Sequence, residues 1–135
     1  MKQESNRTLG NSFEEDLCQI LFDCGFWVHN MAQNKAGQPA DIICARNGKA
    51  YLIDAKVCTY DLFKLDRIEE NQDLSMSLWQ KQGNGQGWFA MRTRNEIYMI
   101  PHFAITALRQ QKTTISVQDM EVYGKPLEKW VKWCK

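Results

Sequence analysis

The sequence contains little that histidine or cysteine chemistry would need. Only two histidines, His29 and His102, occur among 135 residues, and no motif pairs them. The five cysteines form an odd, scattered set without the Cys-x-x-Cys spacing of zinc sites. We therefore expect reduced thiols rather than zinc ligands or a disulfide framework. Histidine-centred nucleophilic catalysis has equally little support.

Long apolar runs and phosphate-binding glycine loops are also missing. No apolar stretch approaches membrane-spanning length, and the N-terminus leads into no signal region, so we expect a cytoplasmic protein. The glycine-rich stretch Gly83–Gly87 lacks a Gly-Lys-Ser/Thr ending and follows a predicted helix, which indicates a helix end and a turn. The length and ordinary composition predict a single domain over residues 1–135, of which residues 1–10 form a flexible arm.

Charge is nearly balanced overall but unevenly distributed. The net charge is +1, whereas the stretch from Arg92 to Lys135 holds eight Lys or Arg and four Asp or Glu, a local charge of +4. A basic surface of this kind suits a phosphate backbone, and it also suits an ordinary solvated face. Both interpretations remain open at this point.

One stretch indicates chemistry, a predicted β-hairpin of two short apolar strands. The strands are Asp41–Ala45 and Ala50–Val57, and Asn47-Gly48 lies between them. Asn-Gly between apolar runs predicts a two-residue turn of type I′, because both residues tolerate positive φ. A two-residue turn determines which residues face each other across the hairpin.

The predicted register brings charged side chains together. If Arg46 pairs with Lys49, then Asp41 falls opposite Asp54, and strand alternation places Lys56 on the same face as Asp54. Facing carboxylates destabilise a hairpin unless a positive charge lies between them. A divalent cation with oxygen ligands would supply that charge. The alternative is a frayed hairpin end with two solvated aspartates.

The predicted first helix gives different roles to its two adjacent glutamates. Ser12 and Glu15 predict a capping box, with the helix beginning at Ser12 and ending before Gly25. Glu15 is then occupied in capping the backbone. Glu14 is left at the edge of the apolar stripe, where it either reaches a site beneath the helix or remains a surface acid.

The remaining elements are predicted more coarsely. They are, in order, a strand at Phe26–Met31, a loop at residues 32–38, a helix with a capping box at Asp66–Glu69, a hairpin of Trp88–Thr93 and Glu96–Ile100, a helix from Pro101 to Gln110, an edge strand or extended arm at Ile115–Tyr123, and a helical tail at Leu127–Cys134. Trp130 and Trp133 of the tail either stack on DNA bases or dock the tail on the body or on a partner subunit. Docking is the interpretation we favour.

This order of elements resembles the PD-(D/E)xK nuclease superfamily, and within it the Holliday-junction resolvases, especially the RecU type. The likeness spans Glu14 to Phe103 and implies an α/β fold with a restriction-endonuclease-like core, a central mixed β-sheet flanked by helices. Asp41, Asp54 and Lys56 match the core motif, and Glu14 matches the family's helical glutamate. Gln72 matches the glutamine of a His-Gln pair in the RecU helix.

The resemblance implies a metal-dependent endonuclease acting on DNA, most of all on four-way junctions. Asp41, Asp54, the Ala55 carbonyl and Glu14 would bind Mg²⁺ or Mn²⁺, since these ions accept oxygen ligands. Lys56 would stabilise the transition state and Gln72 would orient water or phosphate.

One departure concerns substrate choice, because the long RecU stalk before the Asp-bearing strand is absent and only Asn30–Ala40 occupies that interval. A nicking or restriction-like nuclease without junction preference is therefore an alternative. A non-catalytic DNA-binding module on the same fold is a further one.

A homodimer is also expected, because two symmetric incisions need two sites and one chain supplies one. The second helix or the C-terminal elements would form the interface. Apolar residues that we expect to be exposed there are Phe103, Trp130, Trp133 and the segment Ile115–Tyr123.

Overall fold

The computed structural model describes residues 6–31 and 39–135, with side chains from residue 12 onward. The loop predicted at residues 32–38 lies outside the described residues. Within the described part, no helix is long and apolar enough to cross a membrane. All five cysteines are free thiols, as the sequence predicted.

Six of the eight strands in the described residues make one mixed sheet. The strands are β1 (Trp27–Asn30), β2 (Ile42–Arg46), β3 (Lys49–Val57), β4 (Phe63–Lys64), β5 (Trp88–Arg92), β6 (Ile97–Pro101), β7 (Thr114–Ile115) and β8 (Lys125–Pro126). The order in the large sheet is β1-β2-β3-β5-β6-β8, and β4 pairs separately with β7. Only β3 and β5 are parallel neighbours, so β3 lies in the middle of the sheet with partners on both sides.

Helices cover both faces of this sheet. They are α1 (Asn6–Asp23), α2 (Glu70–Trp79), α3 (His102–Arg109), α4 (Val117–Tyr123) and α5 (Leu127–Trp133). One core cluster joins α1 and α5 to the sheet through residues such as Leu17 and Trp130. The other joins α2, α3 and α4 to the opposite face through Met76, Ile105 and Met120. This three-layer arrangement confirms the predicted α/β fold with a central mixed sheet.

The hairpin forms as the sequence predicted. Asn47 and Gly48 have φ angles of 55° and 81°, and Arg46 pairs with Lys49. The ladder continues to Ile42 opposite Ile53. Asp41 lies one residue beyond the ladder, where its N–H donates to the Ile53 carbonyl at 3.2 Å. The turn therefore places Asp41 close to Asp54.

The start of the first helix was predicted wrongly. α1 begins at Asn6, so residues 6–10 belong to the helix and Ser12 is inside it. Gly10 costs about 1 kcal/mol in a helix interior, which does not end a helix whose later turns dock Phe13 and Leu17 in the core. Glu15 is consequently an exposed mid-helix residue without a capping role.

The second helix also begins later than predicted. Leu65–Arg67 forms a 3₁₀ turn, and α2 starts at Glu70 with Glu69 as its N-cap. The capping box joins Glu69 to Gln72, not Asp66 to Glu69. The reason is reciprocity, since the side chains of Glu69 and Gln72 each accept a hydrogen bond from the other's backbone N–H.

The predicted strand or arm at Ile115–Tyr123 is wrong beyond Ile115. Only Thr114 and Ile115 pair as a strand, and α4 follows from Val117. Ser116 and Asp119 form a capping box that satisfies the first backbone N–H groups of this helix. A local capping signal thus outweighs a weak apolar alternation.

The C-terminal tail is a helix docked on the body, as favoured from sequence. Trp130 is fully buried and packs on Phe26, Tyr51 and Trp88, with ring centroids 5.9, 5.3 and 5.8 Å away. Arg46 donates to the backbone carbonyls of Val131 and Cys134 and holds the end of this helix.

Three residues expected to be exposed are buried instead. Trp130, Ile115 and Met120 are all inaccessible to solvent, because each fills the core beneath its own element. None of them therefore contributes to a dimer interface. Phe103 and Trp133 do remain exposed.

Candidate active site

Five side chains predicted from sequence converge at one end of the central strand. Asp54 and Lys56 lie on β3, Asp41 immediately precedes β2, Glu14 reaches down from α1, and Gln72 lies in the first turn of α2. Asp54 is fully buried, and Glu14 and Asp41 are nearly so. Residues from four separate parts of the chain thus meet in a poorly solvated position.

Asp41 links the two other carboxyl groups. Its Oδ2 accepts a hydrogen bond from the Ala55 N–H at 2.8 Å. Its carboxyl group also lies within hydrogen-bonding reach of those of Glu14 and Asp54. Three acids this close cannot all be ionised unless a cation compensates their charges. Without a cation, at least one of them retains a proton.

The pKa values of two of these acids report that crowding. Burial, followed by the charge of Asp41, raises the pKa of Asp54 well above its ordinary value, and Lys56 only partly opposes the shift. Burial and then the Asp41 charge raise the pKa of Glu14 from 4.5 to about 7. With a pKa of about 7, Glu14 is therefore partly protonated at neutral pH unless another positive charge replaces the proton.

Lys56 and Gln72 form a hydrogen-bonded bridge over Asp54. Lys56 Nζ is 3.2 Å from Asp54 Oδ2 and donates to Gln72 Oε1 at 3.1 Å. Gln72 Nε2 donates to Asp54 Oδ1 at 3.3 Å. The same Gln72 Oε1 accepts from the Glu69 N–H at 3.0 Å, so the helix cap also orients the amide. This double use of Gln72 is the physical reason that α2 presents it to the site.

The donor set fits a hard divalent cation. Glu14 Oε2 and Asp54 Oδ2 are buried without a hydrogen-bond partner, although the latter lies near the Lys56 charge. Among the described side chains, no three His, Cys, Asp or Glu residues already form a complete cation cage. Mg²⁺ needs no such cage, because it is commonly held by one or two carboxylates and keeps several waters. The carboxylates of Asp41 and Asp54 meet that requirement.

Sequence reasoning missed Arg67 beside this cluster. Its carbonyl accepts from Lys56 Nζ at 3.4 Å, and its guanidinium donates to the Val57 carbonyl at 2.8 Å. The guanidinium also lies over the Phe63 ring, 4.9 Å from its centroid. No sequence signal separates Arg67 from other surface arginines, because its contacts depend on how the 3₁₀ turn meets the end of β3.

The two histidines lie outside the cluster. His29 is exposed and stacks on Trp27. His102 is buried and contacts Asp73, which also pairs with Arg109 and so ties α3 to α2.

Melting of the protein in chelator is expected to depend on pH. The folded pKa of Glu14, about 7, exceeds its ordinary 4.5, so the folded state binds more protons between those values. This stabilisation is complete below pH 4.5 and is lost as the pH rises through about 7. The melting temperature should therefore be higher near pH 5 than near pH 8, by on the order of 5 °C.

Glu14→Gln is the matched control for this measurement. It removes one of the two acids with a raised pKa and should make the pH slope smaller, and the slope that remains comes from Asp54. Acids with a lowered pKa, such as Asp73 and Asp119, lose their contribution only at lower pH and do not interfere. A wild-type melting temperature independent of pH would contradict the raised pKa of Glu14.

The fold is shared with a protein of known structure. The structure of Archaeoglobus fulgidus Hjc, a Holliday junction resolvase from an archaeal hyperthermophile, superposes with a TM-score of 0.69 and 16% sequence identity. The superposition covers 90% of this chain and 99% of that one. No curated protein sequence matches the chain. The shared fold is the restriction-endonuclease-like fold.

The family can be stated more narrowly. Residues 5–135 match the archaeal Holliday junction resolvase (Hjc) family, and the chain belongs to that family. It is accordingly a junction-resolving, metal-dependent endonuclease. The matching family is the archaeal one, and this chain has only Asn30–Ala40 in the interval where RecU proteins carry their stalk.

Proposed function

We propose that Asp41 and Asp54, with the Ala55 carbonyl and Glu14, bind Mg²⁺ or Mn²⁺ and that this site cuts four-way DNA junctions. The observation that carries the proposal is the buried carboxyl cluster, in which two oxygens have no hydrogen-bond partner and Lys56 lies alongside. Burying such a cluster costs folding free energy when no cation is bound. A bound divalent cation would compensate the charge of the carboxylates.

The residues around the cation have separable roles. A bound Mg²⁺ would supply an activated water and neutralise charge on the phosphoryl oxygens. Lys56, aimed by Gln72 and the Arg67 carbonyl, places an ammonium beside the scissile phosphate and stabilises its growing negative charge. Glu14 completes the ligand set or accepts a proton from the attacking water. Gln72 holds Lys56 and Asp54 in fixed relation.

Cleavage of labelled DNA in the presence and absence of chelator tests the proposal directly. A four-way junction should be cut with Mg²⁺, should resist cutting with chelator, and should be preferred to a linear duplex of the same sequence. Equal cutting of junction and duplex would support the nicking or restriction-like alternative. Junction binding without any metal-dependent cutting would support the non-catalytic alternative.

Glu14 and Glu15 should differ sharply in function. Glu14→Gln is expected to lower turnover by about 10–100-fold, because it removes a charged oxygen at the metal site. Glu15→Gln alters an exposed mid-helix residue and should leave turnover within about twofold and stability within about 0.5 kcal/mol. Single-turnover cleavage measured for both variants is the test. Loss of activity in Glu15→Gln alone would mean that the two roles are reversed.

The active form is proposed to be a homodimer joined through α2. Leu74 and Leu78 are exposed one turn apart on this helix, and Phe103 is exposed at the start of α3. Apolar side chains at this spacing form a stripe that a second copy can cover. A two-fold pair would supply the two sites that symmetric incision needs.

Sedimentation equilibrium at micromolar concentration distinguishes the two candidate faces. Leu74→Glu together with Leu78→Glu should yield a monomer. Val122→Glu, which changes an exposed residue of α4, should leave the dimer intact. The opposite result would place the interface at the C-terminal elements. A wild-type monomer both with and without junction DNA would overturn dimerisation.

Action on DNA and free thiols also suit the expected cytoplasmic location.

A further inference from the structure

The turn that follows the catalytic strand has an unusual backbone. Tyr60 and Asp61 have φ angles of 52° and 57°, in the left-handed region. Asp tolerates this region, but a bulky residue such as tyrosine rarely adopts it. Of the non-glycine residues in the described part of the chain, only Asn47 shares this conformation. The fold therefore holds Tyr60 in a conformation that its own preferences oppose.

The turn is rigidly held. The backbone groups of Thr59 and Leu62 donate to each other's carbonyls at 3.0 Å in both directions. The Asp61 carboxylate accepts from the Arg94 backbone N–H at 2.9 Å and from its Nε at 3.0 Å. These bonds tie the turn to the end of the neighbouring β5–β6 hairpin. A flexible loop would have relaxed the left-handed residue.

The aromatic ring carried by this turn is almost entirely in solvent. Tyr60 is 87% exposed, more than any other large apolar side chain described. Its ring has no aromatic or cationic partner among the described side chains. Burial of the ring consequently does not compensate for the backbone conformation within the folded chain.

The position of the turn relates the ring to the chemistry. Tyr60 comes four residues after Lys56, a separation of at most about 14 Å along an extended chain. Bases along one DNA strand are spaced by about 3.4 Å, so the ring reaches within a few nucleotides of a phosphate held at Lys56. The Arg67 guanidinium donates to the carbonyl of Val57, the last residue of β3, and offers a further cation to the DNA backbone at this end of the strand.

We propose that Tyr60 stacks on an unpaired or unstacked base of the DNA substrate beside the cleavage site and thereby contributes to selection of branched DNA. A tyrosine ring can stack on any base, because every base has an aromatic face. In an intact linear duplex those faces are covered by neighbouring bases except at the ends, so the ring would favour branched DNA. The inference rests on the proposed active site, since it takes the scissile phosphate to lie at Lys56.

Two substitutions separate the ring from the turn. Tyr60→Asn removes the ring but retains the turn, because asparagine readily adopts the left-handed conformation. Tyr60→Phe retains the ring and removes only the hydroxyl. Phe22→Asn, which removes an exposed aromatic ring from α1, is the matched control.

The test uses the full-length protein in chelator with a four-way junction that carries 2-aminopurine at the branch point. Tyr60→Asn is expected to weaken junction binding by about 10–100-fold and to lose the fluorescence change caused by stacking. Its affinity for linear duplex should stay within about twofold, and its melting temperature should not fall. Tyr60→Phe and Phe22→Asn should bind both DNAs as the wild type does.

Two results would overturn the inference. One is unchanged junction affinity in Tyr60→Asn, and the other is an equal loss for junction and duplex. Because these measurements are made without metal, they are independent of cleavage. Failure of the wild type to cut with Mg²⁺ would instead count against the proposed function.

Discussion

Replacing Asp54 with asparagine is expected to abolish cleavage while preserving DNA binding. Asp54 is buried at the centre of the cluster, and one of its oxygens lacks a hydrogen-bond partner. Asparagine has nearly the same shape but no charge, so it is a poor ligand for a hard cation. We expect the single-turnover rate to fall by about 10³-fold.

Binding measured in chelator distinguishes this effect from misfolding. Burial raises the pKa of Asp54, and asparagine is neutral, so Asp54→Asn adds no negative charge near the DNA phosphates and junction affinity should be equal to that of the wild type or higher. Asp23→Asn is the matched control, since Asp23 is exposed at the end of α1. Cleavage by Asp54→Asn at the wild-type rate would show that the metal site has been assigned to the wrong residues.

Truncating Trp130 should cause a large loss of stability. Its ring is fully buried and contacts three other aromatic side chains across the sheet face. A buried tryptophan replaced by alanine leaves a cavity that costs about 3–5 kcal/mol. Thermal and urea unfolding of Trp130→Ala should therefore show a melting temperature lower by more than about 10 °C.

Trp133 provides the comparison within the same helix. It is half exposed, although its ring packs on Trp88 with centroids 5.2 Å apart. Trp133→Ala should cost only about 1 kcal/mol, since much of its surface already faces water. Trp130→Phe should cost less than Trp130→Ala because it refills most of the cavity. Equal losses for the two alanine variants would contradict the docked geometry of α5.

How much the sequence predicts depends on whether the signal is local. The Asn47-Gly48 turn set the hairpin register, because a two-residue turn leaves one pairing of the strands that flank it. Capping was predicted less well. Ser12 resembled a helix start but lies inside α1, and the true capping box of α2 uses Glu69 and Gln72. Several residues of one segment can cap, and tertiary packing selects among them.

The C-terminal third shows the same limit in a different form. The segment after Ile115 alternates weakly, and a strand is a reasonable expectation until Ser116 and Asp119 are recognised as a capping box. Trp130 and Trp133 lie in one short helix, and the helical spacing leaves open which of them is buried. Arg46 of β2 holds α5 against the sheet, and in this docked position Trp130 is buried and Trp133 is not.

The sequence by itself determined the hairpin, its two aspartates and the lysine two residues beyond the second of them. These features follow from turn chemistry and strand alternation, which act over a few residues. Only the tertiary structure decided that Glu14 meets Asp41, that burial raises the pKa values of Glu14 and Asp54, and that Gln72 serves the cap and the site together. Those properties depend on desolvation and on contacts between distant segments, for which no local pattern codes.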